Sequence, residues 1–290
     1  MQPSIASLTR SSLPVTTLPT GALRGAVSTM GRCSAQDVLR WTGLEPWATG
    51  VSLAGQMLST RRVRCDKPLA HQHQDLAQWY VVGAGSFKLV RIDSEGFEQV
   101  MGFALRGDII GLDGLNEGLH ACTAIALEDS TVAQIDTADV LRPDGRFHAL
   151  DHLLYRAAAT ELQRRSQTQY LMAPASAEVR VARFLLTFGQ RQQQLGCSGE
   201  RFRLRMSRRD IASYLGVAHE TVSRAFTLLG QAGLIQVDHR EVVFTDSAGL
   251  RQMATSTRGA SPCARLKRRG RAAPLARAEV TLARAQPLAA

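Results

Sequence analysis

Glu220, Ser223 and Arg224 follow one another at spacings of three and one, which puts all three on one side of a helix. Their chemistry is that of base recognition in the major groove of DNA. The Arg224 guanidinium can give two hydrogen bonds to a guanine edge. The Glu220 carboxylate can accept from a cytosine amino group, and the Ser223 hydroxyl can touch either. Around them, Ser207, Arg208, Arg209, His219 and Thr221 carry groups suited to phosphate oxygens, with Arg203 and Arg205 close by. The plain alternative is a helical hairpin with a solvated charged face, so the residues between must decide.

They favour a helix-turn-helix over 208–227. Ile211, Leu215, Val222 and Ala225 recur where two helices would pack on each other, and Ala212 is small where they would cross. Gly216 falls at the turn, where a positive φ is needed. Ser207-x-x-Asp210 has the form of a capping box opening the first helix. LIQVDHREVVF then reads as two short strands about a polar turn, a wing. One position departs from the pattern: Ala218, where the second helix should be capped, has no side-chain acceptor.

A second set of residues could do different chemistry. Cys65, His71, His73, His120 and Cys122 are candidate ligands for haem or a metal, against the plainer reading of structural or exposed side chains. A cupin-like metal enzyme would use His71 and His73 together with a glutamate a few residues on. Only Asp75 lies nearby, and the next glutamate is Glu95. The expectation is therefore a non-enzyme with no assigned cofactor. The five cysteines are scattered without a CxxC pair, which suits reduced thiols in a cytoplasm.

The elements that must position these residues follow from the patterning. From about Trp47 to Asp136, short apolar runs such as WYVVGAG, SFKLVRID and STVAQID alternate with Gly and Asp, as in a β-barrel or sandwich. Asp93-Ser94-Glu95-Gly96 marks a hairpin turn. From Asp144 the period becomes helical and runs to about Met172. This helix is too long for a small barrel to cover, so its stripe, including Leu150, Leu154, Ala158 and Leu162, is expected to pair with a second copy. Another amphipathic helix follows from Ser176 to about Gln194.

The expected organisation is α+β. It comprises a disordered extension over 1–45, a barrel over 46–143, a dimerisation helix over 144–173, a winged helix-turn-helix over 174–248 and a disordered basic tail over 249–290. The first thirty residues carry no acid and also resemble a transit peptide; Met30 is an alternative first residue. Of the net charge of +10, +8 sits in residues 251–290, nine basic residues against Glu279 alone. The charge therefore describes the tail more than the folded part. No apolar run approaches the roughly 20 residues of a membrane span.

FRLRMSRRDIASYLGVAHETVSRAF, SAEVRVARFLL, GSFKLVRIDSEGFEQVMGFALRGDIIGLDGL and ALEDSTVAQI together resemble the CRP/FNR family, most closely its fumarate-nitrate-reduction regulator branch, over roughly residues 55–250. The resemblance implies a cyclic-nucleotide-binding-like jelly roll, a long dimerisation helix that would include Arg165, and a C-terminal winged helix-turn-helix. It also implies a homodimer on a palindromic operator with TTGAT-like half-sites, read through Glu220, Ser223 and Arg224. RNA polymerase would be met through barrel loops such as Arg91–Glu98. The resemblance fails at the sensor. The oxygen-sensing branch holds an iron–sulfur cluster on four cysteines, whereas this chain offers Cys33 near its N-terminus and Ala133 at the barrel position. The cyclic-nucleotide cassette is likewise replaced by His120 and Ala121, without a cation for the phosphate.

Overall fold

The computed structural model of the chain describes residues 31–43, 55–141, 155–163, 166 and 176–255. Its first part is a jelly roll of two antiparallel sheets. The strands are β1 (Gly31–Ser34), β2 (Met57–Val63), β3 (Pro68–Ala70), β4 (Gln78–Ala84), β5 (Phe87–Ile92), β6 (Glu98–Ala104), β7 (Ile109–Ile110), β8 (Thr123–Ala126) and β9 (Ser130–Asp136). One sheet runs β1-β2-β9-β4-β7 and the other β3-β8-β5-β6. Tyr80, Val82, Phe87, Ile110, Ala124 and Val132 fill the space between them. Trp79 and Val81, the alternate residues of β4, face the other way into a second core with α1 (Ala35–Thr42) and α2 (Thr137–Leu141). Burial on both faces is why β4 reads as an unbroken apolar run. The expected hairpin turn joins β5 to β6: Asp93 Oδ1 accepts the amides of Glu95 and Phe97, each at 2.9 Å, and Gly96 takes φ +83°.

Helical residues 155–163 (α3) follow. The second part contains α4 (Ala177–Gln194), β10 (Arg201–Arg203), α5 (Arg208–Leu215), α6 (His219–Gln231), β11 (Ile235–Asp238), β12 (Glu241–Phe244) and α7 (Ser247–Ala254). Its three strands form one small sheet in the order β10-β12-β11.

Two expectations need correction. Residues 31–43, assigned to a disordered extension, form β1 and α1. Ser34 and Asp37 make a reciprocal cap, β1 pairs with β2, and Ala35, Val38 and Leu39 are buried against the barrel. Gly107, at φ +83°, lies so close that a Cβ there would stand 2.1 Å from the Trp41 carbonyl oxygen. The tail, expected to lose order from 249, continues as α7 to Ala254. Leu250 and Met253 are buried, and Arg183 Nε donates to the Ala254 carbonyl at 2.8 Å. Residues 1–30 and 256–290, and the stripe positions Leu150, Leu154 and Arg165, lie outside the described residues.

Candidate nucleic-acid interface

Helix α5 starts where its sequence demands. Ser207 Oγ accepts the Asp210 amide at 3.1 Å, and Asp210 Oδ2 accepts the Ser207 amide at 2.9 Å. It ends on Gly216 in the left-handed region, φ +62°, whose amide closes back on Ala212 and Ser213. The chain then turns into α6. Ile211, Leu215 and Val222 are fully buried between the helices, with Ala225 at 1% and Ala212 at 3% exposure. Replacing one such leucine or isoleucine with alanine typically costs about 2–5 kcal/mol.

This packing fixes what α6 presents. His219, Glu220 and Arg224 are exposed, while Thr221 and Ser223 are half-buried beside them. Arg224 Nη2 lies 3.4 Å from Thr221 Oγ1, a weak tether that leaves the guanidinium outward. Helix α6 has no side-chain cap, because Ala218 occupies the N-cap.

The basic residues divide. Arg208 lays its guanidinium 3.3 Å from the centre of the Phe226 ring, and burial lowers its pKa to about 10. Arg209 is exposed. Arg203 is exposed, whereas Arg205 pairs with Glu128 of the barrel at 3.0 Å. Arg208, Arg209 and His219 line a concavity of about 450 Å3 with His239 and Arg240 of the wing turn. The last two are not among the candidate residues singled out from the sequence. His239 takes φ +49°, and Arg240 is held by donating Nη1 to the Arg205 carbonyl at 3.0 Å. The available signal was the polar tripeptide Asp238-His239-Arg240 at the wing turn.

The barrel candidates do not converge. Cys65, His71 and His73 are exposed, His120 is buried, and Cys122 is half-buried. Among the described residues no three His, Cys, Asp or Glu side chains gather to hold a metal ion. His120 stacks on Tyr80 with ring centres 6.1 Å apart, and burial pushes its imidazole below the usual range, against a smaller upward effect of Asp113. Cys33 sits half-buried in β1, and burial, aided by Asp37, raises its thiol to about 11. Ala133 is fully buried in the core behind β9.

Comparison with known proteins is consistent over both parts of the chain. A model of the Crp-like helix-turn-helix domain matches residues 179–253, and one of the cyclic nucleotide-binding domain matches residues 60–142. The chain is 40% identical over 192 residues to transcriptional regulatory protein btr of Bordetella pertussis, spanning 66% of this chain and 79% of that protein. It is 33% identical over 186 residues to the fumarate and nitrate reduction regulatory protein of Escherichia coli K12, spanning 63% and 74%. FixK2 from Bradyrhizobium japonicum superposes with a TM-score of 0.61 at 27% identity, covering 69% of this chain and 99% of that one.

Proposed function

Because the chain belongs to the CRP/FNR family of transcription regulators, we propose that it acts as a homodimer on an inverted repeat with TTGAT-like half-sites. The observation that carries this reading is the outward face of α6, where Glu220, Ser223 and Arg224 stand on a fully packed helix pair. In this reading these three side chains read bases, while Ser207, Arg208, Arg209, His219 and Thr221 meet the sugar-phosphate backbone. Binding weakens with salt in proportion to the phosphates neutralised.

Dimerisation is supported by α3. Tyr155 and Leu162 are 70% and 69% exposed and Ala158 is exposed, while Ala157 and Glu161 turn toward their own chain. An exposed apolar stripe on a helix is what a second copy would bury. The β5–β6 turn, with Phe97 63% exposed, is the surface assigned to RNA polymerase. The protein works in the cytoplasm in this reading.

The signal is neither an iron–sulfur cluster nor cyclic AMP. A cluster needs about four thiolate ligands, whereas the N-terminal region offers Cys33 alone and Ala133 offers only a methyl group at the barrel position. A cyclic phosphate needs a cation, but burial favours neutral His120, and Ala121 has no polar side-chain atom.

The test is fluorescence anisotropy with aerobically purified protein on a TTGAT-N4-ATCAA duplex and on a scrambled control. Selective binding is expected. Arg224→Ala should lose about 1–3 kcal/mol on the operator and little on the control. Equal loss on both would reassign Arg224 to the backbone, and no selectivity in the parent protein would overturn the half-site.

A further inference from the structure

Helix α5 has two working faces. One packs on α6; the other lies along β6, the outer strand of its sheet. Lys88 Nζ in β5 donates to Asp210 Oδ1 at 2.8 Å. The Val100 amide points out of the sheet and donates to Ser213 Oγ at 2.9 Å, and Gln99 Nε2 donates to the Ser213 carbonyl. Below them, Phe103 meets Tyr214 and Phe184 edge-on, with ring centres 5.3 and 6.2 Å apart. Two further ion pairs flank the contact, Arg191 with Asp108 and Arg205 with Glu128. Val90, Val100, Phe103, Leu105 and Leu127 of the barrel share one apolar core with Ile211 and Leu215.

The polar part of this contact is specific in a way that packing alone is not. Asp210 divides its carboxylate, Oδ2 closing the cap with Ser207 and Oδ1 holding Lys88. The first turn of the helix-turn-helix is therefore tied to a barrel strand through one buried side chain. Ser213 does the same one turn later, using its hydroxyl oxygen and its carbonyl for neighbouring residues of β6. Two anchors one turn apart on a single helix fix both its position and its rotation. They fix α6 as well, because α5 and α6 share a core.

We propose that Lys88 and Gln99 are positioning residues for DNA recognition. They hold the helix pair at one orientation on the barrel, and so set the separation of half-sites that a dimer accepts. This rests on the dimeric reading above. The barrel side chains touch no base, so they act on operator spacing and leave half-site sequence preference alone.

The experiment uses the full-length chain and the variants Lys88→Met, Gln99→Ala and Lys88→Arg, with two readouts. The first needs no DNA: hydrogen exchange of the Val100 amide, whose hydrogen-bond acceptor is the Ser213 hydroxyl. Lys88→Met and Gln99→Ala should each speed its exchange about tenfold or more, with β4 and β9 unchanged, whereas Lys88→Arg should retain protection. Unchanged Val100 exchange in both would overturn the anchor, whatever happens on DNA. The second readout is affinity for a single half-site and for inverted repeats with spacers from N2 to N6. The parent protein should favour one spacer. The two loosened variants should flatten that preference about tenfold while keeping single-site affinity. Faster exchange with an intact spacing preference would overturn the positioning role and leave a packing contact. A parent protein indifferent to spacing would overturn both this role and the dimeric reading, while Val100 exchange still judges the anchor. If Lys88→Met does not fold, Gln99→Ala and Lys88→Arg decide alone.

Discussion

Helix α5 opens on a reciprocal cap, closes on a left-handed glycine and is tied to the barrel at two points. Helix α6, one turn further along the chain, opens on Ala218 with no side-chain cap and presents an exposed first turn. The same motif thus holds one helix by every means available and leaves the start of the other open. The difference is one of role. In the first turn of α5, Asp210 is committed to Ser207 and Lys88 and Arg208 lies on Phe226, while Arg209 is exposed; the first turn of α6 leaves His219 and Glu220 exposed. A helix N-terminus whose amides lack a side-chain acceptor is suited to a phosphate oxygen. The contrast separates a helix start held by side chains from one that is not.

Three experiments would break or sharpen that contrast. The largest effect belongs to Asp210→Ala. It removes half of the cap and the partner of Lys88, and should cost about 2–3 kcal/mol in urea unfolding. The acidic residue in the first turn of α6 should matter far less, with Glu220→Ala within about 0.5 kcal/mol. Comparable losses would abolish the distinction. Next in size, Ala218→Ser supplies the acceptor α6 lacks and should stabilise the chain by about 1 kcal/mol, read as a rise in Tm. No gain would mean that the first turn of α6 is already satisfied.

The smallest effect is on pH dependence. Burial alone would raise the Asp210 pKa, but hydrogen bonds from Lys88 and Ser207 outweigh it and hold the carboxyl below its ordinary 3.8. A group so depressed contributes stability that is complete above the unfolded value and lost only as pH falls through the folded one. The α5 anchor should therefore be indifferent to pH from 5 to 8. His120 behaves otherwise. Burial lowers it from 6.5, so the unfolded chain binds its proton first, and stability complete above pH 6.5 is lost as pH falls below it. Thermal melts should show a modest decline between pH 7.5 and 5.5 that His120→Gln flattens.

The legible parts of the molecule are those whose constraints are local. Ile211, Leu215, Val222 and Ala225 announce a helix pair because a crossing fixes their spacing, and Gly216 announces its turn because few other residues accept positive φ. Ser34-x-x-Asp37 carries the same signature as Ser207-x-x-Asp210, but the acid-free composition of the preceding thirty residues masks α1 in the sequence. Helix α7 was missed similarly. The expectation of a disordered tail from 249 passes over the cap Asp246 and over Leu250 and Met253, which follow at a helical interval. The link between Lys88 and Asp210 left no trace, since its partners stand 122 residues apart and a lysine in an alternating strand is ordinarily solvated. The stacking of Arg208 on Phe226 was hidden for the same reason, and it gives that arginine a structural partner besides any phosphate.

The seat of α5 along β6 has a consequence for solubility. An outer strand carries a row of hydrogen-bonding groups that any other extended chain can match, and β6 adds Met101, 46% exposed, beside them. Here the Val100 amide of that row is taken by Ser213 of α5, and the Phe103 carbonyl by Arg191 of α4. A barrel expressed without residues 176–255 would present that edge bare and should tend to associate strand to strand. A full chain whose helix pair loosens before its sheets melt would be exposed to the same fate. The DNA-reading half thus guards the other half against aggregation, quite apart from any operator it binds.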